Sequence, residues 1–201
     1  GAPMIAMILN IANLSKSISA NILQPEGALL KSKTPWIILE GDSASLLSIE
    51  RTVLNFLIRM SGIATYTNKV VQAVKGTNCK VLHTRKTAPG HRRTDIYSCL
   101  IGGAHAHRRS LDEAILVKEN HLRVTPSFQD LIDGINSVRG SAKFVEIEVS
   151  DFTELKHALM AKPDRIMLDN FSLENIKKAV DLFGSSIEFE ASGNINLTNA
   201  A

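Results

Sequence analysis

Residues 144–169 read FVEIEVSDFTELKHALMAKPDRIMLD. An apolar run over 144–149 gives way to a helical pattern over 152–160, then to a second apolar run over 165–168. Strand, helix, strand in that order implies a right-handed crossover between parallel strands. The alternation extends outward on both sides. Upstream, 79–82 and 114–117 are strand candidates and 127–138 is a helix. Downstream, 173–183 is a helix and 187–189 a strand. The fold class is therefore α/β with a parallel sheet. Both a doubly wound open sheet and an open or incomplete α/β barrel fit. No Gly-x-Gly-x-x-Gly follows the first strand, so a dinucleotide-binding sheet loses support.

Before Gly76 the pattern is different. Residues 4–14 read as a helix, and 28–30 and 36–39 as short strands. Gly41-Asp42-Ser43 is a turn with a helix-capping residue. Beyond it Leu46, Leu47, Ile49, Val53, Leu54, Leu57 and Ile58 recur at helical spacing. Gly62 is a candidate break, with a second helix over 65–74. The expected organisation is a partial mixed α/β domain over 1–75, followed by a barrel domain over 76–201. The opening at Gly1 and the stop at Ala201 just after a strand and its loop read as a fragment.

The bulk numbers narrow the function classes. Hydrophobic residues make up 44% and aromatics 5%, so the core rests on Ile, Leu, Val and Ala. A net charge of +3 is too small to argue for nucleic acid by itself. The apolar opening is interrupted by Asn10 and Asn13 and is too short to span a bilayer. Cys79 and Cys99 have neither metal-ligand spacing nor a disulfide framework, which suits a reducing cytoplasm.

Polar residues fall at the carboxyl ends of the strand candidates: His83-Thr84-Arg85-Lys86, Lys118-Glu119-Asn120-His121, Glu146 and Glu148, Asp169-Asn170, and Glu190-Ala191-Ser192-Gly193. In α/β barrels these ends share one mouth, where active sites are built. The blander reading is that strand ends are polar because loops start there. Arg85, Lys86, Arg108 and Lys118 suit an anion. Glu148 and Asp169 suit a divalent cation or a developing positive charge, unless they only cap the next helices. His105-Ala106-His107 has the spacing of paired metal ligands, which keeps a metal-dependent barrel hydrolase as a rival. Nucleic-acid binding is a weaker rival, because Tyr97 is the only aromatic platform near the basic segments.

Read in order, a set of motifs becomes specific. It comprises Glu50-Arg51-Thr52-Val53-Leu54-Asn55-Phe56-Leu57, Ser61-Gly62-Ile63-Ala64-Thr65, Thr84-Arg85-Lys86-Thr87-Ala88-Pro89-Gly90, His107-Arg108, Leu116-Val117-Lys118-Glu119-Asn120-His121, Glu146-Ile147-Glu148-Val149, Met167-Leu168-Asp169-Asn170 and Glu190-Ala191-Ser192-Gly193. This series resembles the quinolinate phosphoribosyltransferase family over roughly residues 25–198.

The resemblance implies an α/β barrel joined to a mixed N-terminal domain, acting as a cytoplasmic homodimer without nucleic acid or membrane. It also implies phosphoribosyl transfer from phosphoribosyl pyrophosphate to quinolinate, with loss of CO2, giving nicotinate mononucleotide and pyrophosphate with Mg2+. By the same resemblance Arg85, Lys86, His107, Arg108 and Lys118 bind quinolinate, and Arg51 reaches in from the neighbouring subunit. Lys86, Lys118, Glu148 and Asp169 take catalytic roles, Glu148 and Asp169 also meet the metal, and Ser192 and Gly193 meet phosphate. The chain departs from the family pattern at His83, Ile96, Ala104, Ala106 and Asn194. A substrate-shifted or silent homologue is the alternative those departures raise. Asn194 is a milder change, because asparagine tolerates left-handed backbone better than most residues.

Overall fold

A computed structural model describes residues 1–201, which divide into two compact units: Gly1–His107 with Ala200–Ala201, and Arg108–Asn199.

The first unit holds α1 (Pro3–Ile11), β1 (Ile18–Ile22), β2 (Ile37–Gly41), α2 (Ser43–Ala73) and α3 (Arg92–Ile101). β1 and β2 pair antiparallel. Ile5, Ile8, Leu9, Ile18, Ile49 and Val53 form its core, so α1, β1 and α2 are joined by apolar burial. Asp42 caps α2 by accepting the Ser45 backbone N–H at 3.0 Å. The Ser45 hydrogen bonds hold the Asp42 carboxyl below its ordinary range.

Three expectations are corrected here. α2 runs unbroken through Gly62, which has open space around it. A lone helical glycine costs about 1 kcal/mol, too little to break a helix held by buried residues such as Val53 and Met60. Residues 28–30 form no strand, and Leu29 is 94% exposed, so no burial rewards extension there. Residues 79–82 shrink to a single parallel bridge, Leu82 with His105.

The second unit holds β3 (Ile115–Val117), α4 (Glu119–Val124), α5 (Phe128–Val138), β4 (Val145–Val149), α6 (Phe152–Met160), β5 (Arg165–Asp169), α7 (Leu173–Phe183) and β6 (Glu188–Ser192). Its strands are parallel and lie side by side in chain order, β3-β4-β5-β6. Val117, Val145, Ile147, Val149, Ile166 and Leu168 cluster with Leu131 and Ile135 of α5, Leu155 and Ala158 of α6, and Ala179 of α7. The helices thus cover one face of the sheet. Chain-order strands with helices on one face make a sector of an α/β barrel; a doubly wound sheet reverses its order and has helices on both faces.

Each crossover helix starts on a capping side chain: Ser127 accepts from Asp130 N at 3.1 Å, Asp151 from Thr153 N and Glu154 N at 2.7 and 2.8 Å, and Ser172 from Asn175 N at 3.2 Å. Because strand side chains alternate, the other face carries Glu146, Glu148, Arg165, Met167, Asp169, Glu188, Glu190 and Ser192. Glu146 is fully buried. Arg165 lies 4.6 Å from the Phe144 ring centroid and reaches Glu188 and Glu190 at 3.6 and 3.7 Å.

The turn leading into β3 is fastened by Glu113, which accepts from Arg109 N at 2.6 Å and from Lys143 Nζ at 3.2 Å. The Arg109 backbone N–H, then its guanidinium and Lys143, pull the Glu113 carboxyl from 4.5 to about 2. A depressed carboxyl binds fewer protons folded than unfolded, so its stabilisation is complete above pH 4.5 and fades as pH falls toward about 2. Urea midpoints of wild type and Glu113→Gln should therefore differ at neutral pH and converge through that window. A gap that stays constant with pH contradicts the role given to Glu113.

No helix is long and apolar enough to cross a membrane.

Candidate active site

The first unit supplies four of the sequence-predicted residues. His105 N donates to Val81 O at 2.7 Å and His83 N donates to His105 O at 3.3 Å. The next rung is made by a side chain: His107 N donates to His83 Nε2 at 3.2 Å. His83 is buried, and accepting that bond makes Nε2 the unprotonated nitrogen. A departure from the family pattern thus holds the backbone of His107.

Arg85 is half-buried, and its Nε is buried with no hydrogen-bond partner. A buried guanidinium N–H left without an acceptor is costly, and an anionic ligand would satisfy it. Lys86 is exposed, and its backbone N–H donates to Thr84 Oγ1 at 3.1 Å. Arg51 is exposed on α2, on the helix stripe that also exposes Leu47, Leu54 and Ile58. Ile96 and Ala104 are buried, so these two departures sit in packing. Close backbone approach occurs at Gly102, where a Cβ would lie 2.6 Å from Ala64 O of α2. His105 is exposed and His107 half-buried.

The second unit supplies the rest. Arg108 is 8% exposed and donates to the Ala114 carbonyl at 3.2 Å. The register sets Val117 beside Ile147, so Lys118 follows β3 at the level of Glu148, the next-to-last residue of β4. Lys118 Nζ and Glu148 Oε2 form an ion pair there. Asp169 lies opposite Ser192 on β6. Lys118, Glu148, Asp169 and Ser192 therefore form a row along the carboxyl edge of one sheet. Asp151 and Ser172 cap α6 and α7, so Glu148 and Asp169 do not spend their charge on that task.

Asn170, quoted in a motif but given no role from sequence, completes the row. Its backbone is left-handed at φ 56, its N–H donates to Ser192 O at 2.8 Å, and its Nδ2 donates to Asp169 Oδ2 at 2.9 Å. Its Oδ1 accepts from Asn194 Nδ2 at 3.0 Å. Gly193 and Asn194 are left-handed too, at φ 82 and 56, in keeping with the mild cost expected of asparagine at 194. The available signal was an asparagine directly after a strand-ending aspartate. A turn of this kind aims backbone N–H groups in one direction, which suits phosphate.

Comparison with known proteins identifies the family. Residues 63–201 match the quinolinate phosphoribosyl transferase C-terminal domain, and residues 1–61 match the N-terminal domain of the same enzyme. The chain belongs to the quinolinate phosphoribosyl transferase family. A probable nicotinate-nucleotide pyrophosphorylase (carboxylating) of Synechocystis sp. is 35% identical over 99% of this chain and 68% of its own length. The nicotinate-nucleotide pyrophosphorylase (carboxylating) of Mycobacterium leprae is 38% identical over 88% of this chain and 63% of its own length. The chain thus spans about two thirds of the length of these relatives. The solved structure of the nicotinate-nucleotide pyrophosphorylase from Francisella tularensis superposes with a TM-score of 0.89 at 36% identity, over 97% of this chain and 69% of that one. The family's fold is barrel-like, in agreement with the chain-order sheet of the second unit.

Proposed function

We propose that the whole protein transfers a phosphoribosyl group from phosphoribosyl pyrophosphate to quinolinate and removes CO2, giving nicotinate mononucleotide and pyrophosphate. The observation that carries this reading is the row Lys118, Glu148, Asp169 and Ser192 on the carboxyl edge of one parallel sheet. Arg85, Lys86, Arg108 and Lys118 are the cations, and His107 the further hydrogen-bonding group, assigned to the two adjacent carboxylates of quinolinate. Desolvating a dianion calls for several such donors. The unpartnered Nε of Arg85 supports its place among them.

The ring nitrogen bonds to the anomeric carbon while pyrophosphate leaves with the electron pair of the broken C–O bond. Positive charge builds on the sugar in that transition state, and Glu148 and Asp169 are the anions assigned to stabilise it. The pyridinium then draws the electron pair of the C–CO2 bond toward the ring, CO2 departs, and the ring carbon takes up a proton. The protein's part is mainly orientation and charge balance.

Glu148 and Asp169 would be the residues to hold Mg2+, whose bound charge would offset that of the departing pyrophosphate. The oxygen donors of Glu148 and Asp169 suit such a hard cation, and Mg2+ commonly keeps waters and substrate phosphates besides one or two carboxylates. Ser192 and the N–H groups around Gly193 are assigned to phosphate. The exposed stripe of Leu47, Leu54 and Ile58 supports a homodimer that brings Arg51 to the neighbouring subunit's site. A cytoplasmic location is part of this proposal.

The test is incubation of the full-length protein with quinolinate, phosphoribosyl pyrophosphate and Mg2+, with mononucleotide and CO2 measured together. Both products should appear in equal amounts, and Arg85→Ala should lower kcat/KM for quinolinate about a hundred-fold. Absence of turnover in wild type sinks the proposal.

A further inference from the structure

We infer that Asp95 and Arg59, which lie outside the proposed set of substrate-binding residues, are positioning residues that hold the 84–91 segment, and with it Arg85 and Lys86, in register for binding the anionic substrate. The inference rests on the reading of Arg85 and Lys86 as substrate-binding cations.

Asp95 sits in the first turn of α3 and is only 6% exposed. A carboxylate at that depth needs partners. Arg59 of α2 provides a two-pronged one: Nε donates to Oδ1 at 2.9 Å and Nη2 to Oδ2 at 2.7 Å. This fork geometry is specific to arginine facing a carboxylate. Asp95 Oδ2 accepts one more bond, from the backbone N–H of Ala88 at 3.2 Å. Ala88 lies in the Thr84–Gly90 run, so one buried carboxylate joins α2, α3 and the segment that carries the proposed substrate cations.

The rest of that segment is shaped by short-range bonds: Lys86 N to Thr84 Oγ1 at 3.1 Å, Thr87 N to Arg85 O at 3.0 Å and His91 N to Ala88 O at 3.0 Å. These set local turns but do not tie the segment to a helix face. The Ala88–Asp95 bond does, and the Phe56–His91 ring contact, with centroids 5.8 Å apart, closes the far end onto α2. Arg59 has a second effect: its guanidinium keeps the Asp95 carboxyl below its ordinary range, so Asp95 remains a charged, strong acceptor. Removing the negative charge at 95 weakens the acceptor and leaves Arg59 without its counter-ion.

The test uses the full-length protein with Asp95→Asn and Arg59→Lys, read two ways. Amide hydrogen exchange over residues 84–91 reports the clamp whatever the substrate. It should speed up about ten-fold or more in Asp95→Asn while the core of α2 keeps its protection. Steady-state kinetics report what the clamp serves. KM for quinolinate should rise about ten-fold, with KM for phosphoribosyl pyrophosphate and kcat little changed, because ground-state anion binding is what is loosened. A purely structural role would lower the melting temperature and the active fraction and leave both KM values alone.

Unchanged exchange at 84–91, or faster exchange with an unchanged quinolinate KM, overturns the inference. If Asp95→Asn does not fold, Arg59→Lys decides: it keeps the charge pair but loses the fork, and should give smaller changes in the same direction. An Arg59→Lys protein identical to wild type in both readouts overturns the inference equally. Should wild type fail to turn over quinolinate, the proposed function falls, and the exchange arm still decides the clamp.

Discussion

Lys118→Ala should lower kcat/KM for quinolinate by about thirty- to a hundred-fold while the protein stays folded. Lys118 is the cation paired with Glu148 at the carboxyl edge, and their side chains are 40% and 17% exposed. Truncation removes a positive donor from the proposed substrate and leaves Glu148 without its counter-ion beside an incoming dianion. Losing a charged hydrogen-bond donor to the bound substrate costs about 2–3 kcal/mol, which at about 1.4 kcal/mol per factor of ten gives the stated loss. The effect should fall on kcat/KM, with an unchanged far-ultraviolet spectrum. Wild-type kinetics in Lys118→Ala would remove Lys118 from the mechanism.

Gly193→Ala should show the other large effect, in stability and activity together. Gly193 has φ 82, a conformation that side chains rarely adopt. A Cβ there would lie 2.6 Å from Asn170 Cγ and 3.1 Å from Asn170 N. The Asn170 side chain is not free to swing aside without loss, because it donates to Asp169 and accepts from Asn194. Its backbone N–H is also committed to Ser192 O. Either the turn opens or the Asn170 side chain leaves Asp169, and both disturb the row proposed to meet ribose and phosphate. A loss of about 2–4 kcal/mol in stability and of about a hundred-fold in kcat/KM is expected, read by thermal melting and by the same assay. A melting temperature and kcat/KM at wild-type values would show that the turn accepts a side chain.

Much of the second unit is legible in the amino-acid order because its signals agree with one another. Residues 152–160 and 173–183 have helical periodicity, a capping Asp151 or Ser172 and an adjoining apolar strand, and both helices appear with those bounds. Segments with a single signal are less legible. Residues 79–82 are apolar enough for a strand, yet pairing needs a neighbour, and the chain supplies only the bridge to His105. β1 escapes a periodicity reading because Ser19 and Asn21 interrupt its apolar character over just five residues. α3 escapes it because it opens on Arg92-Arg93-Thr94-Asp95, a polar start rewarded by the two long-range bonds from Arg59 to Asp95.

The site divides in the same way. That polar groups end the strands is visible in one dimension. That Lys118 meets Glu148 depends on the parallel register of β3 and β4, which pairs residues thirty positions apart. That His83 serves as a backbone acceptor depends on a side chain standing in for a carbonyl, which no periodicity announces.

The uninterrupted α2 has a mechanical consequence. Thirty-one residues at about 1.5 Å each make a rod of about 46 Å, and helices of this kind curve only gently unless a kink is built in. Its early turns carry Leu47 and Arg51, its middle carries Arg59, and near its far end Asn68 bonds to the Gly102 carbonyl at 3.3 Å. One stiff element therefore carries the Leu47 end, the Arg59–Asp95 clasp and the contact with the Gly102 turn, and fixes the spacing between them.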